Sequence, residues 1–314
     1  IKLFVNVPEL KQDTERIVNR FKNHPANAGY YIRDEPNAAD FTGLAALVKQ
    51  IQAFDDSRFC YINLFPNYAS EQQLGSPSYR EHVSTFVKTV PVKVLSFDHY
   101  PITHNGIRPE WFENLEIIAD AANKENKPFW AFALAVAHGP YPIPSLSHLK
   151  LQVYSNLAYG AQGIQYFTYW TPESNTWDFH DGPIDVNGKR TVVYRRIKQV
   201  NSEIRALSGI FLGARVLSIG HAGDIPRGAK PYKVMSPFEK IDPIDNNAII
   251  SWLENDGIKY LVVVNRQLDS NMHLHIEIEP GKKVMKIQKT GDLVSVPVVQ
   301  DIIVTPGDAA FFTW

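Results

Sequence analysis

The sequence predicts an α/β protein followed by a smaller antiparallel β region, and three observations support this. Up to about residue 212, nearly continuous apolar runs alternate with helical segments, which is the pattern of repeated βα units and a parallel sheet. After Gly213 the pattern changes to short alternating segments separated by turn sequences, as in an antiparallel sandwich. The length of 314 residues fits one large domain and one small one.

Six apolar runs are predicted strands, because each is short and apolar enough to be buried on both faces of a parallel sheet. They are 1–8, 29–33, 59–65, 93–98, 128–136 and 163–169. Six predicted helices follow them, at about 12–23, 38–54, 71–89, 109–125, 145–159 and 189–208. Asp40 or a neighbour can cap the second helix, Pro109 fits the first turn of the fourth, and Gly160 follows the fifth.

A (β/α)8 TIM-type barrel needs eight strands to close, and six are visible in this sequence. We therefore expect residues 1–212 to form such a barrel without its first two βα units, so that 1–8 is strand three. The alternative is an open, doubly wound six-stranded sheet. Residues 213–314 are predicted to form a C-terminal antiparallel β-sandwich, with strands at 214–219, 231–235, 247–253, 258–264, 272–278, 284–288 and 298–314.

Charge and composition favour a neutral ligand. The formal net charge is −1, with 32 basic and 33 acidic residues, so no overall field attracts nucleic acid or an anionic membrane. The single cysteine, Cys60, excludes an internal disulfide, and no apolar run approaches the roughly 18 residues that span a bilayer. The chain opens on Ile1 rather than methionine. Removal of an export signal or of further upstream sequence would account for this, and we expect a secreted or periplasmic protein.

The most informative local feature is an acidic pair at the end of the second predicted strand. Residues 29–36 read Gly-Tyr-Tyr-Ile-Arg-Asp-Glu-Pro, an apolar run that stops at Asp34 and Glu35. Barrel enzymes place their chemistry where strands end and βα loops begin. Like charge and partial burial raise the pKa of one member of such a pair, and Glu35 is the predicted proton donor. The alternative is an acidic pair that caps the following helix.

Four segments in or beside predicted strands together resemble clan A glycoside hydrolases, and their β-galactosidase-like members in particular. They are Arg33-Asp34-Glu35-Pro36, Ser-Phe-Asp-His-Tyr-Pro at 96–101, Pro-Phe-Trp-Ala-Phe at 128–132, and Gly-Ala-Gln-Gly-Ile-Gln-Tyr-Phe-Thr-Tyr-Trp at 160–170. The resemblance covers 1–212, and the C-terminal sandwich matches the accessory domains of these enzymes. It implies a retaining (β/α)8 enzyme in which Glu35 is the acid/base at the end of strand four.

The resemblance also implies features from which this sequence departs. Asp34 stands where the clan usually has an asparagine that binds a sugar hydroxyl, and an aspartate can accept the same hydrogen bond. The implied nucleophilic glutamate at the end of strand seven is missing, because 133–139 reads Ala-Leu-Ala-Val-Ala-His-Gly. A second carboxylate must therefore come from elsewhere in the chain, from an absent front segment or from another chain.

Asp98 is the predicted second carboxylate, because it ends the fourth predicted strand. Glycoside hydrolysis needs such a group about 5–5.5 Å from the proton donor for retention, or about 6.5–9.5 Å for inversion. His99 and Tyr100 follow directly and can orient it or bind sugar hydroxyls. A purely structural role for Asp98 in its own loop stays open. Glu173 is the second candidate, with a solvated loop residue as its alternative.

Further candidates for substrate binding lie at the last two predicted strands. His138 follows the strand-seven run and is either a substrate ligand or a hydrogen-bonding loop residue. Tyr169 and Trp170 end strand eight, where flat rings suit stacking on sugar faces. The loop 175–181 carries two further rings, which either wall a sugar subsite or pack against the neighbouring loop.

Other kinds of chemistry lack their sequence patterns. The histidines and carboxylates do not follow metal-ligand spacing, and no nucleotide-binding or serine-hydrolase motif occurs. We expect no metal and no cofactor. The leading hypothesis is a glycoside hydrolase acting on O-glycosidic bonds of an oligo- or polysaccharide, with Glu35 as general acid/base. The alternative is a catalytically inactive barrel that binds glycans as a lectin-like module, which the missing strand-seven carboxylate suggests.

Overall fold

The computed structural model describes residues 1–244 and 246–314. The chain forms two compact units, one of residues 1–99 with 117–131 and the other of 100–116 with 132–314. The predicted domain boundary after residue 212 falls inside the second unit and stays a prediction.

All six predicted strands of the first 212 residues form, together with a short hairpin that was not predicted. The strands are β1 (Leu3–Val5), β2 (Asn27–Asp34), β3 (Phe59–Leu64), β4 (Leu95–Phe97), β5 (Ile102–Thr103), β6 (Gly106–Ile107), β7 (Phe129–Leu134) and β8 (Gly163–Phe167). The helices are α1 (Thr14–Phe21), α2 (Phe41–Phe54), α3 (Glu71–Leu74), α4 (Tyr79–Thr89), α5 (Trp111–Lys124), α6 (Leu146–Ala158), α7 (Val192–Ala206) and α8 (Ser208–Phe211). Short 3₁₀ helices cover Pro8–Lys11 and Ala38–Asp40.

The first unit contains a parallel sheet whose strand order follows the chain, β1-β2-β3-β4-β7. A doubly wound sheet reverses its strand order at a switch point, and these described strands do not reverse. In the second unit the remainder of β7 neighbours β8, and the Ala135 N–H donates to the Phe167 carbonyl at 2.6 Å. The prediction of βα units in a barrel-type arrangement is confirmed.

Gly29 lets β2 and β3 approach closely. A Cβ built at this position would lie 2.2 Å from the Phe59 carbonyl oxygen, so a larger residue cannot fit without displacing backbone. The same strand alternates its apolar residues, with Tyr30 and Ile32 buried. The phenol of Tyr30 donates to the buried Asp55 at 2.8 Å. One glycine and a buried apolar run therefore hold this end of β2 in the sheet.

The predicted helix 71–89 is divided into α3 and α4. Gly75 ends α3 in the left-handed conformation, with φ of +64°, which glycine adopts without steric cost. Pro77 follows, and Ser78 begins α4 by accepting a hydrogen bond from the Glu81 N–H. The prediction of a single helix was wrong, because Gly75 and Pro77 interrupt it.

The last hundred residues form two antiparallel sheets in the second unit. The strands are β9 (Arg215–Ala222), β10 (Phe238–Ile244), β11 (Ala248–Asn255), β12 (Ile258–Asn265), β13 (Met272–Ile278), β14 (Met285–Ile287), β15 (Leu293–Ser295), β16 (Val299–Val304) and β17 (Ala309–Thr313). The sheets have the orders β10-β13-β16 and β15-β14-β17-β12-β11-β9. Trp252, Phe238 and Phe312 are buried in the core that contains residues of both sheets. The predicted sandwich is confirmed.

A buried ionic cluster lies in the second unit. The Lys150 ammonium on α6 is 3.1 Å from the Glu203 carboxylate on α7 and 2.8 Å from Asp308, just before β17. Lys289 forms a further close ion pair with Asp308. Because these buried charges are paired, the cluster connects two helices to the sandwich without leaving an isolated charge.

Candidate active site

Three neighbouring strands of the first unit end in polar residues at the same level of the sheet. In the parallel register Asp34 of β2 lies opposite Asn63 of β3, and Asn63 lies opposite Ser96 of β4. Asp98 follows Ser96 by two residues. The carboxyl ends of parallel barrel strands are the edge at which such enzymes carry their functional groups. The strands thus bring together residues that are more than 60 positions apart in the sequence.

Glu35 is the first residue after β2 and has an unusual backbone conformation. Its φ is +44°, a left-handed value that costs a non-glycine residue on the order of 1–3 kcal/mol. The Glu35 N–H donates to the Asn63 carbonyl oxygen at 2.8 Å, which anchors this conformation. Strained residues of this kind concentrate at functional sites.

Helix capping does not account for the acidic pair. The 3₁₀ helix Ala38–Asp40 that leads into α2 is capped by Asn37, whose side chain accepts a hydrogen bond from the Ala39 N–H at 3.0 Å. Asp40 occupies the cap position of α2 itself. The capping role thus falls to residues beyond Asp34 and Glu35.

The pKa of Glu35 is raised from 4.5 to about 7. Burial is the largest cause, and the negative charges of Asp98 and then Asp34 add to it. All three effects disfavour the ionised form. Glu35 therefore holds its proton close to neutrality, which is the state a general acid needs. The charge of Asp98 raises the pKa of Glu35 more than the charge of the adjacent Asp34 does. Asp98, the second carboxylate predicted from the sequence, is therefore electrostatically coupled to Glu35.

Asn63 connects the two aspartates. Its side-chain nitrogen donates to an oxygen of Asp98 at 2.8 Å and to an oxygen of Asp34 at 3.2 Å. Its side-chain oxygen accepts from the Ser96 hydroxyl at 3.0 Å, and Ser96 is 2.9 Å from the Tyr61 hydroxyl. Asn63, Ser96 and Tyr61 are all at least 95% buried. The network therefore gives each aspartate a donor from a buried, fixed amide.

Aromatic rings surround this network. The rings of Tyr31 and Tyr61 are 5.7 Å apart, and Phe4 and Trp130 also contact Tyr61. Burial and the charges of the nearby carboxylates, Asp34 first among them, raise the pKa of Tyr31 to about 12. This phenol therefore keeps its proton and can donate a hydrogen bond at any physiological pH.

A cavity of about 360 Å³ opens beside Asp34. It is lined by ten residues from the segment after β1, from β2 and from α2, namely Asn6, Val7, Pro8, Leu10, Lys11, Tyr31, Ile32, Arg33, Asp34 and Leu47. Asp34 is solvent-exposed, and it links the cavity to the hydrogen bonds of Asn63.

His99, a predicted substrate ligand, is buried in the same unit, and its ring lies edge-on to that of Tyr68 at 5.0 Å.

Tyr100 and His138 lie in the second unit, within an aromatic cluster. The His138 ring is 4.5 Å from Phe179 and 4.8 Å from Tyr141, and it is 8% exposed. Burial lowers its pKa, so the imidazole is neutral near pH 7. The backbone of Ala137 pairs with that of His180, so the loop 175–181 packs on its neighbour. The substrate-binding roles of Tyr100 and His138 stay predictions.

The end of β8 carries exposed rings. Tyr169 is 66% exposed and Trp170 is 47% exposed, and Glu173 is exposed in the loop that follows. Tyr169 lines a groove of about 540 Å³ in the second unit together with Tyr166 and Tyr194. Exposed rings in a groove suit stacking on sugar faces, and the assignments of these three residues stay predictions.

Asn63, Ser96 and Tyr61 were missed at the sequence level. The available signal was a lone asparagine near the end of the apolar run Phe-Cys-Tyr-Ile-Asn-Leu-Phe, at the position in the strand that Asp34 holds in β2.

The sequence predicts no metal site. Among residues 1–244 and 246–314, no group of three or more His, Cys, Asp or Glu side chains is arranged to hold an ion.

Together these features define a (β/α)-barrel protein with a carboxylate site at the carboxyl ends of its strands. The model of the beta-galactosidase family matches residues 67–207. This segment contains Asp98 and the strand-eight motif, and Glu35 precedes it. The match confirms the resemblance to clan A glycoside hydrolases, and to their β-galactosidase-like members. Among curated proteins, none matches this chain.

Solved structures with similar folds include three glycoside hydrolases. The β-galactosidase of the haloarchaeon Halorubrum lacusprofundi is 14% identical over 64% of this chain and 42% of its own, with a TM-score of 0.47. The β-galactosidase of Marinomonas ef1 is 13% identical over 64% and 43%, with a TM-score of 0.43. The α-L-arabinofuranosidase of Thermotoga maritima is 12% identical over 95% and 69%, with a TM-score of 0.49. The match thus spans less than half the length of either β-galactosidase.

The structure also bears on membrane association. None of the described helices combines the length with the apolar character that a membrane-spanning helix needs.

Proposed function

We propose that this protein is a glycoside hydrolase that cleaves O-glycosidic bonds of an oligo- or polysaccharide, with Glu35 as its general acid/base. The observation that carries the proposal is the charge environment of Glu35. Its pKa of about 7 arises from burial and from the charges of Asp98 and Asp34, so a protonated Glu35 and a second carboxylate can be present in the same site near neutral pH. Two carboxyl groups in opposite charge states are what glycosidic cleavage requires.

In the proposed reaction Glu35 donates its proton to the glycosidic oxygen as the bond to the anomeric carbon breaks. Asp98 is the second carboxylate. It either attacks the anomeric carbon, which gives retention, or takes a proton from an attacking water, which gives inversion. In a retaining reaction the ionised Glu35 then accepts a proton from the water that releases the sugar. Asp34, exposed beside the cavity, is proposed to accept a hydrogen bond from a sugar hydroxyl.

Carbohydrate contacts are proposed for further residues. On the first unit, His99 follows Asp98 and is proposed as a polar ligand. On the second unit, the exposed rings of Tyr169 and Trp170 are proposed to stack on sugar faces. The similarity to the beta-galactosidase family makes β-galactosides the first substrates to try.

One observation supports a lectin-like alternative. The end of strand seven, where the resemblance implies a nucleophile, holds Ala135, Val136 and Ala137, all fully buried. A barrel that lost its nucleophile could bind glycans without hydrolysing them.

Hydrolysis of a panel of phenyl glycosides by wild type, Glu35→Gln and Glu239→Gln separates the two functions. Glu239 is an exposed glutamate on β10 and serves as the matched control. We expect wild type and Glu239→Gln to release phenol from at least one glycoside, and Glu35→Gln to lose about 100-fold or more. Saturable binding of the glycosides without turnover in all three proteins would instead establish the lectin-like module.

A further inference from the structure

The side-chain amide of Asn63 lies between the two aspartates that act on Glu35. It donates to Asp98 at 2.8 Å and to Asp34 at 3.2 Å. A primary amide has two N–H donors and one carbonyl oxygen, so both of its donors are committed to carboxylates. Each such hydrogen bond favours the ionised form of the carboxylate that accepts it.

The orientation of this amide is fixed by the residues behind it. The Ser96 hydroxyl donates its only proton to the Asn63 side-chain oxygen at 3.0 Å. Tyr61, 2.9 Å from Ser96, must then donate its own proton to the serine oxygen. Rotating the amide by 180° would place its nitrogen against the Ser96 hydroxyl and its oxygen against two carboxylates. The chain from Tyr61 through Ser96 thus selects the orientation in which both aspartates receive a donor.

Because these residues are buried, their hydrogen bonds are costly to lose. Asn63 is 4% exposed, Ser96 is 0% exposed and Tyr61 is 5% exposed, so water does not readily replace a missing partner. Unmade hydrogen bonds in such a place cost about 1–3 kcal/mol each. The carbonyl of Asn63 also accepts the Glu35 N–H at 2.8 Å. One residue therefore contacts the backbone of the proposed acid and the side chains of both neighbouring anions.

We infer that Asn63 is a positioning residue of the proposed hydrolase: its amide gives Asp34 and Asp98 a fixed hydrogen-bond donor, and so favours the proton of the site on Glu35. This inference deepens the proposed function and rests on it for its catalytic meaning. The charged groups that act on Glu35 are Asp98, after β4, and Asp34, at the end of β2. Without the Asn63 amide, Asp98 loses a hydrogen-bond donor and competes with Glu35 for the proton of the site.

Carboxyl titration by ¹³C NMR of the full-length protein tests the inference without any need for turnover. In wild type we expect Glu35 to titrate near pH 7 and to take up its proton before Asp98, because Asp98 accepts a hydrogen bond from the Asn63 amide. In Asn63→Ala we expect the Asp98 carboxyl to take up its proton at a pH higher by about 0.5–1 unit, and the two titrations to overlap. In Ser96→Ala, which frees the amide to rotate, we expect a smaller shift in the same direction.

Asn27→Ala is the matched control. Asn27 is a buried asparagine at the opposite end of β2, and its amide donates to the Phe21 carbonyl at 3.2 Å. Its loss destabilises the same sheet without touching the carboxylates, so the titrations should stay at their wild-type positions. Unchanged Asp98 and Glu35 titrations in folded Asn63→Ala would overturn the inference, as would an equal shift in the control. Because no substrate is involved, this result is independent of whether the glycoside panel is hydrolysed.

Discussion

Replacing Glu35 with glutamine should stabilise the folded protein at alkaline pH. The pKa of Glu35 is 4.5 in an ordinary setting and about 7 in the folded chain, so the folded state binds the Glu35 proton more tightly than the unfolded state does. Stability linked to this proton is present below pH 4.5 and is lost as the pH rises through about 7. Glutamine is neutral at every pH, so the Glu35→Gln variant does not lose this stability as the pH rises.

The size of the effect follows from the same pKa values. Each pH unit of difference between the folded and unfolded pKa corresponds to about 1.4 kcal/mol, which sets an upper limit of about 3 kcal/mol for a rise from 4.5 to about 7. Because the carboxyl is only partly buried, solvent screening reduces this. We expect a gain of about 1–2 kcal/mol in the free energy of unfolding at pH 8.5, and almost none at pH 4.

Urea denaturation of wild type, Glu35→Gln and Glu239→Gln at the two pH values measures this gain. The exposed Glu239 should give no pH-dependent difference from wild type. Equal stability of Glu35→Gln and wild type at pH 8.5, or a glutamine variant that is less stable there, would refute the argument that Glu35 is a buried acid beside two anions.

Three further outcomes are expected. Wild-type activity should fall as the pH rises through about 7, because Glu35 then loses the proton it donates; a pH profile of kcat/KM that stays flat from pH 6 to 9 would contradict this. Gly29→Ala should unfold at a markedly lower temperature than wild type, since its Cβ would lie 2.2 Å from the Phe59 carbonyl oxygen. The control Gly43→Ala, in open space on α2, should gain about 0.5–1 kcal/mol in the free energy of unfolding. Similar melting temperatures for the two variants would count against the close approach of β2 and β3. Lys150→Met should cost about 3 kcal/mol in urea denaturation, because it removes one partner of a buried ionic cluster, and a loss below about 1 kcal/mol would show that the cluster is solvated.

The periodicity of the sequence was sufficient to predict the βα units. Buried parallel strands are short apolar runs, and all six were found within a few residues of their observed ends. The placement of Glu35 and Asp98 at the same edge of the sheet was also predictable, because parallel strands bring their carboxyl ends to one edge. Glu35 is coupled to Asp98, as that argument requires.

Asn63 could not be recognised in the same way. It lies inside an apolar run rather than at its boundary, and a lone asparagine there is also typical of a satisfied core residue. Its importance depends on register, since only the pairing of Asp34 with Asn63 and of Asn63 with Ser96 shows that its amide lies between two carboxylates.

The strand predicted at 231–235 was wrong for a related reason. The strand observed instead, Phe238–Ile244, contains Pro243 and three charged residues, and local rules argue against a strand with this composition. It is tolerated because β10 lies at the edge of its three-stranded sheet, where one side of the backbone needs no partner. Edge position is a property of the assembled sheet and is not visible in a local pattern.

The dependence of the Glu35→Gln defect on the leaving group tests the central claim most directly. A phenyl glycoside needs its leaving oxygen protonated. The 2,4-dinitrophenyl glycoside of the same sugar does not, because 2,4-dinitrophenolate leaves as a stable anion. If Glu35 is the general acid, Glu35→Gln should reduce kcat/KM for the phenyl substrate by about 100-fold or more, and for the dinitrophenyl substrate by less than about 10-fold. Equal losses for the two substrates would contradict the assignment of Glu35 as the proton donor.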